Sequence, residues 1–431
     1  MDITTPLEID HTVVHTVVIV DDATAPDYPI PELKYLSHDA GTQTLVIDDS
    51  VTEASVSESE AEDPNEQLAS QLRGRTLTIP AGMLSIFRDL GWPAVDMDRK
   101  KWSAEQEATY LRLKKDLEEI IGAPDAFTKA KACDFAYFTM LWNPPNIDYD
   151  VLITSSLLGT GLFVWDDFAD SNAGSLGQDF DLACEFRAQT LKHIKASLGL
   201  DNSHVAEEVS GPTLVVCEFA RRIKSMMSTD QLIRVFEALV LFVHEAEAEH
   251  RDRLAGHIPA TAAEYVQMRY NTSACFACFY VLETFNNPAP PLPTWIMHSD
   301  EMRIIFDEGN YIISVHNDIL SFKKELAQNC LINIVPVLYR AGTPWEQIMP
   351  TLDAELRAAA DRLDGAARGL VAAVRAFGGP AGDAQAAAVE RLVDGVRYAC
   401  TGNLGYTLVT ERYGGILERD GTGDGGVEMV M

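Results

Sequence analysis

The chain has 431 residues, of which 47% are hydrophobic and 23% charged, enough apolar material for one large core or two modest ones. A formal net charge of −31 excludes the basic surface that nucleic acid requires, and it would repel an anionic substrate unless bound cations reversed the sign locally. Seven scattered cysteines form no disulfide framework and point to a reducing cytoplasm.

The chain starts MDITTPLEID, without the basic start and apolar core of a signal peptide, and no uninterrupted apolar run of about 18 residues follows, so neither secretion nor a membrane is expected. Residues 1–72 carry sixteen Asp and Glu against one basic residue, Lys34. Such a segment cannot bury enough apolar area to offset chain entropy, and it is expected to be a disordered extension. From residue 73 the texture changes to helical spacing, which predicts helices over 104–122, 126–142, 148–166, 179–198, 205–225, 229–254, 261–285, 299–325, 328–340, 345–376 and 383–411. Trp142-Asn143-Pro144-Pro145, Gly256-His257-Ile258-Pro259, the Pro288 to Pro293 cluster and Gly378-Gly379-Pro380 punctuate them. The fold class expected is all-α: one helical domain over 73–418 around a central cavity, with a flexible tail at 419–431.

Two of these helices end in chemistry. The apolar run Val151 to Trp165 leads into Asp166-Asp167-Phe168-Ala169-Asp170. Asp166 and Asp170, at i and i+4, share a helix face about 6 Å apart, a spacing of oxygen ligands that suits Mg²⁺ shared with phosphates. An acidic, solvated helix end is the plainer alternative. In Asn317-Asp318-Ile319-Leu320-Ser321-Phe322-Lys323-Lys324-Glu325, the residues Asn317, Ser321 and Glu325 drift only about 80° around the helix and present an amide, a hydroxyl and a carboxylate together. That set can chelate one Mg²⁺, and Lys324 beside it reaches phosphate as a point charge. A polar solvent face is again the plain alternative, but two buried-then-polar helices with complementary donors are hard to obtain by accident.

Together the two motifs closely resemble those of class I terpene synthases, in particular fungal sesquiterpene synthases, with D-D-x-x-D on one helix and N-D-x-x-S-x-x-K-E about 150 residues later. The resemblance covers roughly residues 80–415. It implies a single-domain helical bundle around an active-site cavity, a three-ion Mg²⁺ cluster on Asp166, Asp170, Asn317, Ser321 and Glu325, and a prenyl diphosphate substrate. Arg269, 48 residues before Asn317, looks like the family's diphosphate-sensing arginine, and Arg412-Tyr413 like the pair that donates hydrogen bonds to the diphosphate. By position, Thr272 and Ser273 are expected at a helix break that reports diphosphate binding. Tyr406 stands where family members often carry Trp. It is expected, with Phe138 and Phe163, to offer an aromatic face to the cation. Asp167 and Asp318 are expected to orient a ligand or pair with an arginine.

The implied activity is ionisation and cyclisation of a prenyl diphosphate, most simply farnesyl diphosphate, by a monomer or homodimer in the cytoplasm. Skeleton and quenching step are left open. A chain-elongating prenyl diphosphate synthase would carry a second D-D-x-x-D, and a non-catalytic relative would be expected to lack ligands. His244 and His250 are six apart, about 240° around a helix, which does not fit H-E-x-x-H and reads as a solvated face. Cys275-x-x-Cys278 reads as a buried pair.

Overall fold

A computed structural model describes residues 64–122, 133–169, 174–201, 211–286, 290–416 and 426–431. Its longer helices are α1 (Pro64–Leu72), α2 (Ala104–Ile121), α3 (Phe135–Trp142), α4 (Tyr149–Ala169), α5 (Phe180–Leu198), α6 (Pro212–Ile223), α7 (Thr229–Leu254), α8 (Ala262–Thr272), α9 (Cys275–Val281), α10 (Asp300–Ala327), α11 (Ile334–Arg340), α12 (Trp345–Ala376) and α13 (Gly379–Val409). The starts follow local chemistry. Ser103 with Gln106 and Ser228 with Gln231 form capping boxes on α2 and α7, and Ser299 caps α10 by accepting from the Met302 N–H.

Two helices organise the core. α10 packs on α12, α13, α8 and α9 and buries Ile305, Phe306, Ile312, Val315, Ile319 and Phe322. α4 lies against α6 and α3 and is buried along most of its length. Its contact with α6 is so close that a Cβ on Gly161 would meet Val216 Cγ2 at 2.8 Å. By length and composition α4 could cross a membrane, yet it is a core element, with most of its apolar stretch covered by its neighbours.

The domain limits expected from composition need correction at both ends. The fold begins at Pro64, not 73: α1 sets Leu68, Ala69 and Leu72 into the core. The expected extension at residues 1–63 lies outside the described residues. The C-terminal tail is not wholly loose either. Strand β1 (Thr76–Ile79) pairs antiparallel with β2 (Val427–Val430), Thr76 opposite Val430 and Ile79 opposite Val427. Leu77, Ile79, Val427 and Met429 alternate inward and are all buried, and this apolar set ties the last residues down.

Helix limits shift where side chains override periodicity. The helix expected over 205–225 is described from Pro212, and that over 328–340 starts at Ile334, after Asn329 at φ 55°. The helix expected over 261–285 is broken at Ser273 and Ala274, the latter at φ 57°. His250 overturns the solvated-face reading. It is fully buried, its Nδ1 lies 3.2 Å from the Arg187 guanidinium, and its Nε2 lies 3.1 Å from the Gly177 carbonyl.

Candidate active site

A cavity of about 1280 Å³ opens between these helices. One face of α4 lines it with Ser155, Leu158, Gly159, Leu162, Phe163 and Asp166, the i, i+3, i+4 recurrence that a straight helix imposes on a wall. α10 contributes Ile313, Ser314, Asn317, Asp318, Lys324 and Glu325. Met268, Arg269, Thr272 and Ser273 come from the end of α8, and Arg412 and Tyr413 from a single 3₁₀ turn, Glu411–Tyr413, just after α13.

Of the residues singled out in the sequence, Asp166, Asn317, Glu325, Arg269, Lys324, Arg412, Tyr413, Phe138 and Phe163 line this one cavity. Asp170 lies outside the described residues. Ser321 is buried on α10 and does not reach the wall; its hydroxyl sits 3.4 Å from the Asp318 carbonyl oxygen. Tyr406, expected in the wall, is corrected to a supporting position. Its ring packs edge-on behind Phe138, 5.0 Å between centroids, and its hydroxyl donates to the Cys133 carbonyl at 2.5 Å. Cys275 and Cys278 both line the cavity; Cys275 is buried as expected, whereas Cys278 is part-exposed.

The polar mouth is a hydrogen-bonded web. Arg269 donates from Nη2 to Asn317 Oδ1 (3.0 Å) and from Nε to Asp318 Oδ1 (3.3 Å). Asn317 Nδ2 donates to the Tyr413 hydroxyl (2.9 Å). Asp318 also accepts from the Tyr265 hydroxyl and from the Ile334 N–H. Burial pushes the Asp318 carboxyl up to about 6 against the pull of Arg269. Burial opposes the charge on Arg269, but Asp318 and Tyr265 more than offset it, and the guanidinium stays protonated.

Asp167 grips Arg412 in a bidentate pair, 2.5 and 2.7 Å, and Arg412 lies 5.2 Å over the Phe163 ring centroid. Lys324 Nζ sits 5.7 Å over the Tyr413 ring. Of the two roles expected for Asp167 and Asp318, orienting a ligand or pairing with an arginine, both residues show the second. Two supporting residues escaped sequence reasoning. Tyr265, one turn before Arg269, carried a usable i, i+4 signal. Asn333, which holds Glu325 Oε2 at 2.8 Å from the loop before α11, gave none.

The chemistry of the donors is testable against Mg²⁺. Among the described residues no three His, Cys, Asp or Glu side chains converge as a complete cage. Among the residues lining the cavity are Asp166 on α4 and Asn317 and Glu325 on α10, hard oxygen donors brought together from two helices. Such an incomplete set fits a cation that keeps water and substrate phosphate among its ligands.

Comparison with known proteins agrees with this geometry. The family model for terpene synthase family 2, C-terminal metal binding, matches residues 158–362, which include Asp166, Arg269 and the whole α10 motif. Residues 158–362 thus match the metal-binding region of a terpene synthase, and the chain is similar to class I terpene synthases in sequence and fold. Enzymes of this class cyclise prenyl diphosphates to terpenes. Among similar proteins, sesquiterpene cyclase hepA of Aspergillus oryzae is 26% identical over 336 residues, spanning 75% of this chain and 89% of the relative. Sesquiterpene synthase 6 of Postia placenta is 28% identical over 197 residues, 46% of this chain and 54% of the relative. Among solved structures, germacradien-4-ol synthase from Streptomyces citricolor shares the fold with a TM-score of 0.55 and 21% identity, covering 70% of this chain and 92% of that one. Linalool/nerolidol synthase from Streptomyces clavuligerus, in complex with 2-fluorogeranyl diphosphate, gives 0.58 at 18% identity, covering 73% and 97%.

Proposed function

We propose that this enzyme takes farnesyl diphosphate, ionises it with Mg²⁺, and closes the cation to a cyclic sesquiterpene with release of diphosphate. The observation that carries the proposal is the shape of the cavity. Hard oxygen donors and four diphosphate-binding candidates (Arg269, Lys324, Arg412 and Tyr413) gather at its mouth, over walls built from Leu158, Leu162, Phe138, Trp142 and Phe242.

Asp166, Asn317 and Glu325 would hold Mg²⁺, with Asp170 a further donor implied by the family pattern, which has three ions. Bound there, Mg²⁺ supplies the Lewis acidity that neutralises the leaving diphosphate. Arg269, Lys324, Arg412 and Tyr413 bind and orient that group, and their charges oppose the chain's overall repulsion of it. The apolar wall keeps water from the early cation, and Phe138 and Phe163 supply aromatic surface to that wall. A fifteen-carbon substrate is favoured because the curated relatives are named as sesquiterpene enzymes. Seven cysteines without a disulfide support work in the cytoplasm, as a monomer or homodimer.

The test is incubation of the purified enzyme with farnesyl diphosphate and Mg²⁺, with an EDTA control, and gas chromatography–mass spectrometry of the organic extract. A cyclic fifteen-carbon product that disappears with EDTA is expected. Turnover only of geranyl or geranylgeranyl diphosphate would overturn the chain length. Longer diphosphates in the aqueous phase would overturn the cyclisation itself.

A further inference from the structure

We infer that the deep end of the cavity holds one water molecule between Asn143 and Ser155, and that this water captures the final carbocation, making the product a terpene alcohol. The inference rests on the proposed cyclase reading.

Ser155 and Asp166 lie on the same cavity-lining face of α4. Eleven residues separate them, about 16 Å along the axis and only about 20° around it. Ser155 therefore lies three turns below the polar mouth, at a depth suited to the tail of an extended prenyl chain. From Val151 to Leu162 every residue is buried except Ser155, which is part-exposed because its side chain faces open space. Asn143, 3% exposed, lines the cavity beside it.

The hydrogen bonds here leave capacity over. Ser155 Oγ donates to Asn143 Oδ1 at 3.2 Å, and Asn143 Nδ2 donates to the Thr139 carbonyl at 2.9 Å, capping the end of α3. The Thr139 hydroxyl is committed to the Phe135 carbonyl and to Ser156. By count of donors and lone pairs, Asn143 keeps one N–H and one lone pair, and Ser155 keeps both lone pairs. Capping α3 needs only one of the two amide hydrogens, so it does not account for the rest.

Polar capacity facing an apolar cavity is costly unless partnered, and a single water is the partner of the right size and chemistry. A water that accepts from Asn143 Nδ2 and donates to Ser155 Oγ still has a lone pair directed into the cavity. Neither neighbour is basic enough to take a proton from the hydrocarbon cation. The oxygen lone pair instead forms the new C–O bond. The resulting oxonium gives up its proton to bulk water as the product leaves and the cavity refills, and the released diphosphate is the base that finally takes it up.

The experiment runs wild type, Ser155→Ala and Asn143→Leu with farnesyl diphosphate and Mg²⁺ in ¹⁸O-water, and reads alcohol and hydrocarbon products by mass spectrometry. Wild type should give an alcohol about two mass units heavier than in ordinary water. In Ser155→Ala, which barely perturbs packing, the alcohol-to-hydrocarbon ratio should fall about 10-fold, a change that needs only one hydrogen bond's worth of barrier. Asn143→Leu should go further if it folds. A wild-type product that is purely hydrocarbon overturns the inference and leaves the cyclase reading standing. An unlabelled alcohol overturns it too, because its oxygen would come from the diphosphate. An unchanged ratio in Ser155→Ala removes these residues from the step. No product from any prenyl diphosphate overturns the cyclase reading and the water's role with it.

Discussion

Asn317 has a single side-chain oxygen, and in this structure that oxygen accepts from Arg269 while the amide nitrogen donates to Tyr413. That oxygen keeps a second lone pair, so a cation binding Asn317 would sit beside the Arg269 guanidinium and repel it towards the diphosphate at the same mouth. Charge at one residue thus sets the position of another, which is how a mouth crowded with like and unlike charges can stay ordered before substrate arrives. Asp166 lines the same cavity from α4. Asp166→Ala and Asn317→Ala should each lower kcat at least about 100-fold, the scale of losing one electrostatic contact to a developing charge. Circular dichroism should report unchanged helical content in both. Near-normal turnover in either variant would remove that residue from the metal site.

At the scale of elements, the junction of α8 and α9 is held from α10. Asn310 Nδ2 donates to the Tyr270 carbonyl at 2.6 Å, and its Oδ1 accepts from the hydroxyls of Ser273 (2.7 Å) and Ser314 (3.1 Å). These bonds stop α8 where its sequence alone would run on, and they hold Ala274 in the left-handed region. Asn310→Ala strands a buried carbonyl and should cost about 1–3 kcal/mol, read as a lower urea midpoint; an unchanged midpoint would show that the break is set by local sequence. One turn earlier Asp307 accepts from the Tyr270 hydroxyl and lies 3.6 Å from Arg303, with Glu308 beside it. Burial pushes its carboxyl up to about 6. The folded state then binds this proton more tightly than the unfolded state. The penalty for ionising Asp307 is absent below about pH 4, grows as pH rises to about 6, and is constant above. Asp307→Asn should therefore gain stability relative to wild type across that window, by up to about 3 kcal/mol at the upper end, measured as the difference in urea unfolding at several pH values. A pH-independent difference would mean that Asp307 titrates normally.

The same elements separate what was legible in the sequence from what was not. Apolar spacing and caps predicted the long helices, because burial of one stripe is a property of the segment itself. The i, i+4, i+8 recurrence likewise placed Asn317 and Glu325 at one end of α10. The break at Ser273 and Ala274 carries no Gly or Pro, so periodicity ran through it and only the family resemblance placed a break at Thr272 and Ser273; its physical cause sits 37 residues away in Asn310. Tyr406 failed for a related reason. Which face of α13 meets the cavity is decided by how that helix is rotated against α3, and a ring one step around the helix becomes packing for Phe138 instead of wall.

Across the whole molecule, the first and last described segments of the fold are stitched to each other. Thr76–Ile79 pairs with Val427–Val430, Gly74 N–H donates to the Met431 carbonyl, and Met431 N–H donates to the Arg75 carbonyl, both at 2.9 Å. Trp345 at the start of α12 donates its indole N–H to the Thr76 carbonyl at 2.8 Å, and Arg75 lies 5.0 Å over the Tyr339 ring, so the ribbon is also fastened to the body. A four-residue strand after a glycine-rich stretch is too short for a period-2 signal, which is why composition suggested a loose tail. Its contribution is nonetheless that of core. Deleting residues 426–431 would remove the buried Val427 and Met429, uncover Leu77 and Ile79, and leave the β1 ladder groups to water. Loss of the two side chains alone corresponds to about 3–6 kcal/mol. None of these residues lines the cavity, so the truncated enzyme should turn over at low temperature much as the full chain does while melting several degrees earlier. Parallel thermal melts and low-temperature turnover assays separate the possibilities. An unchanged melting temperature would show that the ribbon is dispensable to the fold, whereas loss of turnover in a still-folded truncation would couple it to the active site.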